Sequence, residues 1–217
     1  MSFALHGQVK RPRNIPGYDN KKIHFGFTIG LNTMDMIIKR SSVNELHPDI
    51  YRIEPGFQVN IVSDLRLNDY MNLRFLPGID FGQRYVSFYN TLDGTRDAEK
   101  KIESSYLDFP LLLKYRSKRL NNYRPYLIGG ASFRYDMAAR KDFDEESVIR
   151  FKPADLYIEL GTGIDFYFQY FKFSTEIKLA IGMLNVLVDD PAQGKEKYLN
   201  AFEGLQSYLV MINFHFE

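Results

Sequence analysis

The sequence predicts an all-β protein: an eight-stranded antiparallel up-and-down transmembrane β-barrel with a charged, filled lumen. Three observations predict it. Apolar residues recur with period two through eight segments, each of roughly 9–14 residues, and no helical pattern of comparable length competes. The opposite face of those segments carries full charges of both signs. The connections alternate between short and long. Soluble strands average about 5–6 residues, whereas a tilted membrane strand needs about 9–11.

The elements follow in order. In the first, Ile23, Phe25, Phe27, Ile29 and Leu31 share one face; His24, Gly26, Thr28, Gly30 and Asn32 share the other. The second sets Phe57, Val59, Ile61, Leu65 and Leu67 against Gln58, Asn60, Asp64 and Arg66. The third has Met71, Leu73, Phe75, Ile79 and Phe81 against Asn72, Arg74, Asp80 and Arg84. In the fourth, Leu107, Phe109, Leu111, Leu113 and Tyr115 oppose Tyr106, Asp108, Lys114 and Arg116. The fifth sets Leu127, Ala131, Phe133 and Tyr135 against Arg124, Tyr126, Ser132, Arg134 and Asp136. The sixth has Leu156, Ile158, Leu160, Ile164, Phe166 and Phe168 against Asp155, Tyr157, Glu159 and Asp165. In the seventh, Phe171, Phe173, Ile177, Leu179 and Ile181 oppose Lys172, Ser174, Glu176 and Lys178. The eighth runs to the end of the chain, with Tyr208, Val210, Ile212, Phe214 and Phe216 against Ser207, Asn213 and His215.

Asn68-Asp69 is a two-residue hairpin signal between the second and third strands. Gln169-Tyr170 joins the sixth and seventh, and a polar stretch from Ser117 to Asn122 joins the fourth and fifth. The other connections, about 34–54, 90–100, 138–152 and 183–203, are long and polar. Short turns on one side and long loops on the other are the organisation of an outer-membrane barrel, with both termini on the short-turn, periplasmic side. Residues 1–21 then form a periplasmic extension ahead of a barrel at 22–217. The extension has no periodicity, and Pro12 and Pro16 lead us to expect an extended chain. The opening Met1–Gln8 lacks the charged and apolar regions of a signal peptide; it reads either as a natural start or as the remainder of a trimmed leader.

Composition narrows the function. Lys and Arg number 28 against 27 Asp and Glu, a formal net charge of +1. No positive excess exists to hold a phosphate backbone, which argues against a generic nucleic-acid binder. The absence of Cys removes disulfides, cysteine-ligated zinc and thiol catalysis, and suits an oxidising compartment. No apolar run reaches the roughly 18 residues of a membrane helix. A mean hydropathy of −0.31 leaves a soluble globule or a barrel with a polar inside. Eighteen Phe and 15 Tyr without a Trp lean toward strands.

The charged face chooses between those two. A soluble barrel would point its apolar face inward, and eight strands do not enclose room for so many large Phe, Leu and Ile. A membrane barrel turns that face to lipid and pairs its charges inside. The expected lumenal network is Asp64, Arg66, Arg74, Asp80, Arg84, Asp108, Lys114, Arg134, Asp136, Asp155, Glu159, Asp165, Glu176 and Lys178. Balanced signs favour a paired plug over an ion path.

Catalytic signals are weak. The histidines His6, His24, His47 and His215 show no metal spacing, so no cofactor or metal is expected. His24 and His215 fall on the polar faces of the first and last strands, which pair on closure. A lipid A-modifying enzyme would need a Ser and His pair at the wall, and no serine sits in a G-x-S-x-G context. Paired glycines within strands read as close approaches, and Pro55, Pro77, Pro110, Pro125 and Pro153 as strand ends or bulges. Loops and the extension remain as functional surfaces, with Arg11, Arg13 and Ile15 as candidate partner-binding residues.

Four stretches carry a resemblance: 22–32 (KIHFGFTIGLN), 55–84 (containing LRFLPGIDFGQR), 106–136 and 159–183. They resemble the PorT family, called SprT in gliding bacteria, and the likeness covers nearly the whole chain from Lys21 onward. The family consists of outer-membrane β-barrel proteins of the type IX secretion system. The resemblance implies a non-enzymatic role in exporting proteins across the outer membrane, with gliding motility in some species. It implies the bilayer and other secretion components as partners, no nucleic acid and no small-molecule substrate. It supplies no catalytic residues. The aromatic alternation of the last strand resembles a barrel-insertion signal, from which Glu217 after Phe216 departs. The alternatives are a lipid A-modifying enzyme and a soluble ligand-binding barrel.

Overall fold

The computed structural model describes residues 12–40, 46–90, 96–138, 152–186 and 202–217. After a single 3-10 turn at Tyr18–Asn20, ten antiparallel strand segments follow: β1 (Ile23–Arg40), β2 (Leu46–Ile53), β3 (Pro55–Arg66), β4 (Met71–Phe75), β5 (Gly78–Asn90), β6 (Arg96–Arg116), β7 (Tyr123–Asp136), β8 (Ala154–Tyr167), β9 (Lys172–Gly182) and β10 (Phe202–Phe216). β2 with β3, and β4 with β5, are each one stave with a break, so eight staves form the wall. β1 pairs with β10 on one side and with β3 on the other, which closes the barrel.

The side-chain distribution is the reverse of a soluble globule's. Phe25, Leu160 and Ile61 are 69%, 64% and 63% exposed, while Asp64, Arg74, Asp80, Glu159 and Asp165 are all at 0%. In water this arrangement would cost both the exposed apolar area and the buried charge. In a bilayer the exposed band meets hydrocarbon. The soluble reading therefore fails on packing.

The break at Leu76-Pro77 has a local cause. Pairing has the same register before it, Ser63 opposite Phe75, and after it, Asn60 opposite Gly78. Leu76 donates its N–H to the Pro110 carbonyl at 3.2 Å. Pro110 has no N–H to return, so the Leu76 carbonyl accepts the Asn60 side-chain amide instead, at 3.3 Å. Pro110 and Pro125 thus lie inside β6 and β7 rather than at strand ends. Glycine is required where an inward ring lies over the neighbouring strand: a Cβ on Gly163 would meet the Tyr126 ring and the Thr175 carbonyl, each at 2.5 Å.

Three expectations change. The long connections at 34–54 and 90–100 are largely strand, since β1 runs to Arg40, β2 starts at Leu46, β5 ends at Asn90 and β6 starts at Arg96. In β1 the inward face continues beyond Asn32 as Met34 and Met36, both buried, so the apolar and polar faces exchange character there and the period-two signal is lost. The Asn68-Asp69 hairpin is wider than two residues. Asn68 Oδ1 accepts the N–H groups of Tyr70 and Met71, each at 2.8 Å, which makes Tyr70 part of the turn. The extension is not extended, as described below.

Candidate functional site: the filled lumen and its short-turn mouth

The lumen is filled in layers, and period two is what fills it, because each stave sends every second side chain inward. Nearest the short turns, Arg74 donates from Nε and Nη2 to Asp64 Oδ2 at 2.9 and 2.6 Å and reaches Glu217 Oε1 at 2.8 Å. Lys114 donates to both oxygens of Asp165 at 2.7 and 3.0 Å, and Lys172 to Glu217 Oε2 at 2.7 Å. Three acids meet three bases there.

Above this lies an apolar layer of Val62, Leu76, Leu112, Tyr126 and Ile128. Beside it Glu176 accepts the Tyr126 hydroxyl at 2.9 Å and lies 3.4 Å from His215 Nε2. Next comes a second charged layer centred on Arg134. It donates to Asp108 from Nε and Nη2, both at 3.0 Å, and to Glu159 Oε1 at 2.9 Å. Asp80 lies 3.7 Å away, and Lys178 lies 2.6 Å from Glu159 Oε2. Met34, Tyr106, Tyr157, Ala180, Leu209 and Met211 close the column toward the long loops.

Of the residues expected inside, Asp64, Arg74, Asp80, Asp108, Lys114, Arg134, Asp136, Asp155, Glu159, Asp165, Glu176 and Lys178 are buried. Arg66 is not part of the network: it lies at the rim and pairs with Asp69 in the adjacent turn. The Arg84 side chain lies outside the described residues. The two strand histidines are not brought together. His215 stands opposite Thr28, with Nδ1 at 2.6 Å from its hydroxyl, and His24 stacks on Tyr18 with ring centroids 4.0 Å apart. Thr28, His215 and Glu176 make a chain of polar contacts, yet Thr28 and His215 are 1% and 0% exposed. In this conformation no substrate bond reaches that hydroxyl.

The short-turn mouth is closed by residues 12–21, which correct the expectation of an extended segment. Asn14 accounts for the docking: its N–H donates to Asn122 Oδ1 and its side-chain amide to the Tyr167 carbonyl, both at 2.9 Å. Ile15 takes a left-handed φ of 46° and the chain reverses, so that Tyr18 enters the mouth. Tyr18 is 8% exposed, meets Tyr167 edge-on and donates its hydroxyl to Glu217 Oε2 at 3.1 Å. Burial and the Glu217 carboxylate push this hydroxyl well above the ordinary tyrosine range, so it stays protonated and remains a donor. Glu217, which departs from an aromatic terminus, is thus the bond between the last residue, the extension and the first charged layer.

Asp19 is the second anchor. It accepts Arg124 Nη1 and the Tyr167 hydroxyl at 3.0 Å each and Arg119 Nη1 at 3.4 Å, with Arg116 at 3.8 Å. Burial opposes its charge, but the Tyr167 hydroxyl and the guanidinium groups of Arg124, Arg116 and Arg119 prevail and hold the carboxyl below its ordinary value. Alternation could have marked Arg116, Arg124 and Lys172 as inward, since they share the lumenal face. Nothing in the sequence marks Asp19 or Tyr18.

Around this anchor lies an open cavity of about 350 Å³ lined by Arg13, Asp19, Asn20, Arg66, Asp69, Tyr70, Arg116, Lys118, Arg119 and Arg124. Among the described residues, six cations face two carboxylates there. Of the candidate partner-binding residues, Arg13 is exposed on this cavity, Ile15 is half-buried in the turn, and Arg11 lies outside the described residues.

A family model described as an outer membrane protein beta-barrel domain matches residues 7–188. No curated protein sequence matches the chain. Among solved structures, the chain is similar to the outer membrane protein OprG of Pseudomonas aeruginosa, at 11% identity over 96% of each chain with a TM-score of 0.48. It is similar to Neisserial surface protein A (NspA), at 12% identity over 90% of this chain and 98% of that one, TM-score 0.43. It is also similar to Ail, the attachment invasion locus protein of Yersinia pestis, at 10% identity over 90% and 99%, TM-score 0.38. Likeness at this level bears on no ligand or activity.

Proposed function

Because the chain belongs to the outer membrane protein beta-barrel domain family, we propose that it is a non-enzymatic outer-membrane component of the type IX protein secretion system. In this reading it serves as an accessory or assembly partner of the translocon, with its termini and short turns in the periplasm. The observation that carries the reading is the filled lumen beneath a docked extension. Two layers of paired charge and two of apolar side chains occupy the interior, so the barrel offers surfaces rather than a passage. A wall of eight staves is too narrow to pass a folded protein in any case. The resemblance of four long stretches to the PorT family supplies the pathway, and in gliding bacteria a contribution to motility.

The test is a clean deletion in the native bacterium, followed by fractionation. The expected outcome is secreted cargo trapped in the periplasm, restored by the wild-type gene. Unchanged secretion would overturn the assignment. Altered lipid A on overexpression would move the reading to a lipid-modifying enzyme.

A further inference from the structure

We propose that the cavity at the short-turn mouth is a recognition site for a carboxylate, presented by an acidic segment of a partner protein. What the site is rests on geometry alone; that the partner is a periplasmic secretion component rests on the function proposed above.

The observation behind it is one unfinished side chain. Three arginines crowd Asp19. Arg124 is fully engaged, with Nε on the Ser117 carbonyl at 2.6 Å, Nη1 on Asp19 at 3.0 Å and Nη2 on the Asp69 carbonyl at 2.6 Å. Arg119 is engaged as well, with Nε on the Asn121 carbonyl at 2.8 Å, Nη1 on Asp19 and Nη2 on the Asn14 carbonyl. Arg116 differs. It is 2% exposed, its Nη1 lies 3.8 Å from Asp19, and its Nε and Nη2 have no hydrogen-bond partner. Those two groups lie on one edge of the guanidinium, the fork that takes both oxygens of a single carboxylate; both atoms are buried, so the proposed bond forms with the Arg116 side chain swung toward the cavity. A buried guanidinium with that edge unpaired is costly, and Arg116 lines the cavity.

The surroundings select the ligand. The excess of cations over acids attracts an anion. The two acids already present are carboxylates gripped by arginine, Asp19 by Arg124 and Asp69 by Arg66. The site thus already binds its own carboxylates in this way, and a third one, supplied in trans, uses the same chemistry. The filled lumen behind the cavity prevents onward passage, so a ligand arriving at the mouth is held there.

The experiment uses the intact protein folded in detergent micelles. A short fluorescein-labelled peptide rich in Asp and Glu is titrated by anisotropy, against a matched peptide carrying Asn and Gln. The acidic peptide is expected to bind with an affinity that falls as salt rises, and the amide peptide at least roughly tenfold more weakly. Arg116→Gln is expected to cost roughly tenfold, while Lys152→Gln, exposed just before β8 at the long-loop end of the barrel, changes nothing. If Arg116→Gln does not fold, the rim pair Arg13→Gln with Lys118→Gln reads the same surface and is expected to weaken binding. Equal binding of both peptides, or no loss in either variant, overturns the proposal. Binding of inorganic phosphate without the acidic peptide makes the site one for a free oxyanion and also overturns it. Acidic-peptide binding alongside unchanged secretion in the deletion would remove the pathway but leave the site.

Discussion

Replacing Arg134 by Met tests whether the lumen is held by charge pairing. Arg134 is fully buried and makes three charge-assisted bonds, at 3.0, 3.0 and 2.9 Å, to Asp108 and Glu159. Methionine keeps much of the volume and none of the donors. Among the described residues, the variant leaves Asp80, Asp108 and Glu159 facing Lys178 as the nearby cation of that layer. Three bonds to charged groups at the lower end of their usual worth total about 4–5 kcal/mol, and breaking a buried ion pair costs about 3–5 kcal/mol. The two estimates agree, so a loss of about 4 kcal/mol is expected. The assay is urea unfolding of the barrel in lipid vesicles, followed by far-ultraviolet circular dichroism and by the gel mobility of folded against unfolded barrel. Adding Asp108→Asn to Arg134→Met should recover part of the loss, with a coupling of roughly 1–3 kcal/mol. A loss below about 1 kcal/mol, or strictly additive effects, would refute the reasoning.

Three further outcomes follow from the same structure. The Asp19 carboxyl is held below its ordinary value, so it favours the docked extension above the unfolded titration range near about pH 4 and loses that effect as pH falls further; Asp19→Asn should expose Lys21 and Lys22 to trypsin at neutral pH, and equal cleavage of wild type would count against the anchor. Gly163→Val should displace the Tyr126 ring and cost about 1–3 kcal/mol in the urea assay, whereas an unchanged midpoint would show that the ring moves freely. Leu160→Arg, at one of the most exposed apolar positions of the band, should cost about 2–4 kcal/mol in vesicles if it faces the bilayer midplane; a neutral result would place that surface in water.

The wall was legible in the sequence because a barrel in lipid obeys one rule along every stave. Leu160 and Glu159, adjacent in sequence, are 64% and 0% exposed, as alternation alone requires. The rule fades where the faces exchange character. In the sequence, Met34, Asp35 and Met36 invert the pattern and β2 mixes His47, Pro48 and Asp49 with its apolar residues, so these strands read as loops. Inward apolar residues such as Val62, Leu112 and Leu209 were hidden for a related reason: on a strand rich in apolar residues they do not stand out. The mouth was legible only in part. Arg116, Arg124 and Lys172 continue the lumenal face, but Asp19 and Tyr18 reach their partners through a left-handed Ile15 and the side chain of Asn14. Their contacts are more than 100 residues away in sequence, and no local pattern encodes them.

The central claim is that this barrel is a closed, membrane-anchored surface rather than a pore. Single-channel recording of the purified protein in planar bilayers tests it most directly. A filled lumen with a docked extension predicts a quiet baseline at moderate voltage, in wild type and in the amide variant Asp19→Asn alike, because the charged layers lie behind the mouth. Stable, large conductance steps from the wild-type protein would contradict it.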